Sequence, residues 1–227
     1  MSKPVISMSI GVGLATGLYG ISFGALSTAA GLNLWQTQVL SLLMFSGGSQ
    51  FAFVGIIAAG GPAAVGVAVV SAWLLGVRNG FYAVRMNPVL EVVGFRKLLS
   101  AQLTIDESTA VATAQNLRGD QVKGFWLTGA AVFVFWNTMT FVGAILGSTI
   151  GDPKSWGLDA AAAAAFLGLL WPRLKERQAL AVAALAFTVA VVTTPSLPVG
   201  LPIILAGLVA LVVGAFNLFD RKREPTK

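Results

Sequence analysis

Residues 4–77 read PVISMSIGVGLATGLYGISFGALSTAAGLNLWQTQVLSLLMFSGGSQFAFVGIIAAGGPAAVGVAVVSAWLLGV and contain no charged side chain. A helix that spans a membrane needs about 20 mainly apolar residues, so this stretch has room for about three spans. Only 11% of the whole chain is charged, whereas soluble domains carry about 25% charged residues. The sequence therefore predicts an all-α integral membrane protein, with residues 1–227 forming one transmembrane domain in the lipid bilayer.

Turn signals and further charge-free runs divide the chain into helices predicted at residues 5–32, 36–59, 62–82, 125–150, 158–171, 178–194 and 197–219. Residues 98–114 are ambiguous, because they are apolar enough to enter the membrane but contain two acids. The prediction is seven spans, or eight if this segment crosses, with some helices broken or re-entrant. No sequence repeat is visible, but transporters often contain an inverted repeat that only the structure reveals.

The distribution of basic residues predicts the topology, because Lys and Arg concentrate in cytoplasmic loops. Seven spans with the N-terminus outside would place every basic loop residue except Lys3 and Lys154 in the cytoplasm. This topology is favoured over eight spans. Both topologies place residues 221–227, a short basic tail, on the cytoplasmic side of a bacterial inner membrane. The net charge of +6 is thus interpreted as a topology signal and not as a nucleic-acid surface.

Several chemistries are excluded by composition. The chain has no Cys and no His, so it cannot use an imidazole catalyst or a zinc site built from these ligands. It also lacks a phosphate-binding P-loop. We therefore predict no catalytic residue, no metal site and no cofactor, and a protein that is not an enzyme.

Residues 46–50 interrupt the second predicted helix. Two adjacent glycines each cost about 1 kcal/mol relative to alanine in a helix interior. A helix that breaks at mid-membrane depth must line a cavity or be buried in protein, and such breaks often bind charged groups of a substrate. We interpret Ser46, Gly47, Gly48, Ser49 and Gln50 as substrate-binding residues. The alternative is a continuous helix whose glycines allow close packing against a neighbour.

Arg78 is the first charge after Lys3, and a charge inside the membrane costs about 2.5–3.5 kcal/mol on insertion scales. Its side chain would either snorkel to the interface or pair with an acid or with a substrate carboxylate. We favour pairing, and we add the neighbouring Asn79 to the substrate site.

Asp106 and Glu107 would bind a substrate ammonium group or carry a coupling proton. On a continuous helix they would belong to a polar stripe formed by Gln102, Asp106, Thr109, Thr113 and Asn116. The alternative is that residues 98–114 lie along the membrane surface with both acids solvated.

The motifs Phe23-Gly24-Ala25, Ser46 to Phe51, Val77 to Tyr82, Leu98 to Ala101 and Asp106-Glu107-Ser108 together resemble the signature of the AzlC family. Members are large subunits of bacterial branched-chain amino-acid exporters. The resemblance implies export of leucine, isoleucine and valine, and a small AzlD-type membrane subunit as partner. The chain departs from the family pattern at Asn79, where a histidine commonly follows the arginine, so any proton coupling must use carboxylates or water.

We therefore predict a secondary transporter that exports branched-chain, small apolar amino acids and is coupled to an ion or to protons. The apolar substrate side chain would lie among Phe51, Phe53 and Phe81. The alternatives are a passive channel, a scaffold subunit of a membrane complex, or an intramembrane enzyme that uses the two adjacent acids. Self-association into a homo-oligomer is left open.

Overall fold

The computed structural model describes residues 3–149, 167, 170, 171, 173–216 and 218. These residues form helices and no strand, which confirms the predicted all-helical class. The α-helices are α1 (Lys3–Ala29), α2 (Leu34–Leu43), α3 (Gly47–Gly60), α4 (Val65–Leu90), α5 (Phe95–Gln102), α6 (Asp106–Thr113), α7 (Arg118–Thr149), α8 (Arg177–Thr193) and α9 (Leu201–Ala215).

Among the described residues, three helical stretches are long and apolar enough to cross a membrane: Pro4–Ala29, Gly47–Leu90 and Arg118–Thr149. The second stretch comprises α3, a 3-10 turn at Gly61–Ala64 and α4. The expected span at residues 158–171 lies almost wholly outside the described residues, as does the basic tail at 221–227.

Helices α1 and α7 form a closely packed parallel pair. Thr128 donates a hydrogen bond to Ser9 over 2.9 Å near the beginning of both helices, and Gly147 lies against Ala25 near their ends. A methyl group added at Gly20 would come within 2.6 Å of the carbonyl oxygen of Trp136. The glycines of α1 thus act mainly in packing, with the helix axes close together. We call the end where α1 and α7 begin the near end, and the opposite end the far end.

Helix α2 enters the bundle from the far end and stops in the middle. The Thr37 hydroxyl donates to Ser27 over 2.9 Å at the far end of α1. Farther along the chain, Phe45 meets Phe133 with ring centroids 5.0 Å apart, well inside α7. Helix α2 ends at Leu43, and α3 begins four residues later.

Helix α3 then returns to the far end. Its residue Ile57 belongs to a cluster against which Ala30 and Leu32 pack, and both of these residues follow directly after α1. The prediction that residues 36–59 form one crossing helix is therefore wrong: they form a re-entrant hairpin. The reason is that the chain leaves helical geometry at Ser46, whose backbone is extended (φ −156°, ψ 102°).

Helix α4 runs from the far end to the near end, and α5 and α6 form a second hairpin that enters from the near end. At the tip of this hairpin, Gln102 donates to the carbonyl oxygen of Leu42 over 2.8 Å. Helix α6 returns to the near end, where Ala112 packs with Met86 and Phe125. Residues 98–114 therefore enter the bundle without crossing it.

The second hairpin also corrects the predicted polar stripe. The helix is interrupted at residues 103–105, so Gln102 lies on α5 and does not share a helix face with Asp106. Together, α1 with the first hairpin and α4 with the second hairpin have the order of an inverted repeat. The two hairpins enter from opposite ends, and their tips meet in the middle of the bundle.

Helices α8 and α9 pack against each other. The turn between them reaches the far end of the bundle, where Gly200 lies against Val67 and Ile56. The bundle also contains a central cavity, and its wall is formed by other helices, namely α1, α3, α4, α6 and α7.

Candidate functional site

The two hairpin tips border a cavity of about 400 Å³ in the middle of the bundle. Most of the residues predicted to bind substrate or ions lie on its wall: Ser46, Gly47, Gly48, Arg78, Asn79, Asp106 and Glu107. The cavity thus brings together three segments that are far apart in the sequence.

The N-terminus of α3 forms one side of the cavity. Ser46 precedes the helix and makes no side-chain cap. The backbone N–H groups of Gly47 and Gly48 donate to no acceptor within the described part of the chain. Because the first N–H groups of a helix carry a partial positive charge, this end of α3 is suited to an anionic group such as a carboxylate.

Gln50 stabilises the break between α2 and α3 from the side that faces away from the cavity. Its side-chain amide donates to the carbonyl oxygens of Met44 over 2.7 Å and Ser41 over 3.3 Å. Its side-chain oxygen accepts from the indole N–H of Trp136 over 2.8 Å. Two carbonyls at the end of α2, those of Ser41 and Met44, thereby gain a donor, since a helix terminus leaves such groups without a partner in its own helix.

Two residues of the predicted substrate site therefore need correction. Gln50 is fully buried and lies outside the cavity wall, because its hydrogen bonds point it toward the end of α2. Ser49 is also buried and off the wall, and its hydroxyl donates to Ser46 over 3.2 Å. Both residues shape the tip of the hairpin and do not face the cavity.

Arg78 and Asp106 form an ion pair across the cavity, with the guanidinium Nη2 2.8 Å from the carboxylate Oδ2. The predicted third helix continues to Leu90, so Arg78 lies at its middle, roughly 18–20 Å from either end at 1.5 Å per residue. Snorkelling over that distance is not feasible, and the predicted pairing is confirmed. The side chains are 34% and 21% exposed, respectively.

Unpaired polar atoms surround this ion pair. Within the described residues, Arg78 Nε, Asp106 Oδ1 and Asn79 Oδ1 are buried without a hydrogen-bond partner. So is the hydroxyl of Thr109, one turn after Asp106 on α6. Since buried polar groups are normally hydrogen-bonded, these atoms are available to bound water or to a ligand.

Glu107 lies on the cavity wall beside Asp106 and is half-buried. No basic side chain in the described part of the chain forms an ion pair with it. The cavity wall thus carries one guanidinium and two carboxylates.

The rest of the cavity wall is largely apolar. Phe51 lies on it as predicted, whereas Phe81 is 72% exposed and Phe53 packs in the core away from it. Six further wall residues were not predicted from the sequence: Thr16, Tyr19, Phe45, Ile105, Val132 and Trp136. One signal was present for Trp136, because tryptophan is enriched at membrane interfaces and this one lies in the middle of a charge-free run.

Comparison with known proteins identifies the family of the chain. Residues 11–150 match the family described as AzlC protein, which is more than half of the chain. The inner membrane protein YgaZ of Escherichia coli (strain K12) is 29% identical over 219 residues, covering 92% of this chain and 84% of that protein. No solved structure matches the chain. This all-helical membrane protein therefore belongs to the AzlC family.

Proposed function

We propose that the chain is a secondary transporter that exports branched-chain or similar small apolar amino acids across the bacterial inner membrane. The observation that carries this proposal is the chemical make-up of the central cavity. It has free N–H groups at a helix N-terminus, carboxylates from a second broken helix, and an apolar wall. These three features complement the carboxylate, the ammonium group and the side chain of one small apolar amino acid.

The position of the cavity also supports transport. Secondary transporters commonly bind substrate near the bilayer midplane, between inverted repeats and at the ends of discontinuous helices. A volume of about 400 Å³ falls within the range of roughly 300–1,000 Å³ typical of small-molecule sites. The name of the E. coli relative, inner membrane protein YgaZ, supports the inner membrane as the location.

Family membership supports a second, small AzlD-type membrane subunit as partner. Coupling to an ion or to protons is part of the proposal, and the carboxylates of the cavity are its candidates. A passive channel would instead pass substrate without any dependence on an ion gradient. A scaffold subunit would tolerate loss of the charged cavity residues.

Efflux from bacteria loaded with a leucine-containing dipeptide tests the proposal. Deleting this chain with its small partner should slow leucine efflux, and re-expressing both should restore it. Asp106→Asn and Arg78→Gln should fail to restore it. Glu91→Gln is the matched control, because it removes an exposed carboxylate that pairs with Arg118 at the near end, away from the cavity. Unchanged leucine efflux in the deletion strain would contradict the proposal.

Transport by purified protein separates the proposed carrier from a channel. The chain is reconstituted in proteoliposomes with and without the small subunit, and leucine uptake is measured with an imposed pH or sodium gradient. A coupled carrier accumulates leucine above equilibrium, whereas a channel only equilibrates it.

A further inference from the structure

We propose that the two adjacent acids have separate tasks: Asp106 positions Arg78, whereas Glu107 alone exchanges a proton for the ammonium group of the substrate. This inference rests on the proposed function and adds the identity of the coupling residue. It follows from which charges in the cavity are already balanced.

Asp106 is committed to Arg78. The 2.8 Å contact is a charge-assisted hydrogen bond, and Arg78 makes no other ion pair within the described residues. Protonating Asp106 would leave the guanidinium as a lone charge in the middle of α4, which is costly inside a membrane. Asp106 therefore serves as a positioning residue for Arg78.

Glu107 has no such partner in the part of the chain that the structure describes. The other titratable or charged groups on the cavity wall are Tyr19 from α1, Arg78 from α4 and Asp106 from α6, while α3 and α7 contribute none. Since Arg78 is balanced by Asp106, the cavity has one carboxylate in excess. A lone carboxylate at this depth needs a cation or a proton to balance it.

Exchange of a proton for the substrate ammonium group on Glu107 then couples proton movement to substrate movement. In the empty site the Glu107 carboxyl holds a proton. When the substrate ammonium binds against it, that proton leaves to water in the cavity, and the first turn of α6 stabilises the resulting carboxylate. After the substrate leaves on the opposite side, the carboxylate takes a proton from that side. Each cycle thus moves one zwitterion in one direction and one proton in the other.

The test is leucine binding to the purified full-length chain in nanodiscs, measured across pH, with proton release followed by a pH-sensitive dye. For the wild type, release of one proton on binding predicts a dissociation constant that rises about tenfold for each unit by which the pH is lowered in the acidic range. Glu107→Gln should abolish proton release and make leucine binding independent of pH. The double variant Arg78→Gln/Asp106→Asn removes the ion pair but keeps Glu107 as the excess carboxylate, so it should weaken binding but keep proton release.

A second variant covers the case in which Glu107→Gln does not fold. Glu107→Asp keeps a carboxyl group in a different position and should shift the pH midpoint of proton release, whereas the double variant Arg78→Gln/Asp106→Asn should keep the release. Proton release that persists in Glu107→Gln, an unshifted midpoint in Glu107→Asp, or release lost in the double variant would overturn the assignment.

The outcome for the wild type separates this inference from the proposed function. Leucine binding without proton release contradicts the role of Glu107 only. A wild-type protein that binds no branched-chain amino acid contradicts the proposed function, and the role of Glu107 falls with it.

Discussion

Arg78 shows how one residue acquires its role from the length of its helix. In the sequence it stands before Asn79-Gly80, where a helix end is plausible. In the structure α4 continues through both residues to Leu90, so the guanidinium is held at mid-depth. A charge at this depth needs a partner of opposite charge, and Asp106 on the second hairpin provides it.

Removing one member of this ion pair should destabilise the protein more than removing both members. Arg78→Met and Asp106→Leu each leave one charge unpaired, and we expect each to cost about 1–3 kcal/mol, less than the 3–5 kcal/mol of a fully buried pair because both groups are partly exposed. The double variant should regain stability without regaining transport. Thermal unfolding in detergent and leucine efflux measure the two effects. A double variant less stable than both single variants would contradict the expectation.

The broken hairpins are the elements that build the site. Gly47-Gly48 favours the interruption locally. Gln50 stabilises it by donating a hydrogen bond to the Met44 carbonyl at the end of α2, and Trp136 in turn donates to Gln50. A glycine pair alone does not reveal whether the chain turns back or continues, since that depends on contacts with α1 and α7.

The first backbone N–H of α3 can be removed without disturbing the helix. Proline is favoured at this position, and the residue before it, Ser46, already has an extended backbone that proline accepts. Gly47→Pro should weaken leucine binding about tenfold relative to Gly47→Ala, because one hydrogen bond to a charged group contributes about 1.5–3 kcal/mol.

Gly47→Ala is the matched control for this experiment. It adds the same carbon, 3.2 Å from the ring of Trp136, but keeps the N–H group. Equal leucine affinity in the two variants would show that this N–H does not contact substrate.

The close packing of α1 against α7 leads to a separate prediction. A methyl group at Gly24 would collide with the backbone of α7, 2.6 Å from the nitrogen of Ala144, whereas one at Gly11 meets nothing within 4 Å. Gly24→Ala should destabilise the protein by about 1–3 kcal/mol or more. Gly11→Ala, on the same helix, should be neutral or stabilise it by up to about 1 kcal/mol. Thermal unfolding in detergent compares them, and equal melting temperatures would argue against close helix packing at Gly24.

At the scale of the whole molecule, the hairpins change the topology. Because residues 34–60 return to the far end, α4 is the next crossing helix after α1. The near end then carries Arg85, Arg96, Lys97, Arg118 and Lys123, while the far-end segment 30–64 has no charge. The positive-inside rule places the near end, with the start of α1, in the cytoplasm. A cytoplasmic N-terminus thus replaces the external one as the predicted orientation, and the cytoplasmic C-terminus stays a prediction.

The absence of native cysteine allows a direct test of this orientation. Ala63→Cys introduces an exposed thiol at the far end, and Val93→Cys introduces one at the near end. In intact cells a membrane-impermeant maleimide should label Ala63→Cys only, and Val93→Cys should be labelled after the membrane is opened. The opposite pattern would invert the orientation.

Membrane residence, the all-helical class and the positions of the helix-breaking and charged residues follow from the amino-acid sequence. These properties depend on local composition, because lipid demands apolar side chains and internally satisfied backbones at every point of a span. Long-range packing, in contrast, makes residues 36–59 and 98–114 turn back, pairs Arg78 with Asp106 and not with Glu107, and turns Gln50 away from the cavity. Each of these depends on contacts between residues far apart in the chain, which neither the spacing of apolar residues nor a short motif encodes.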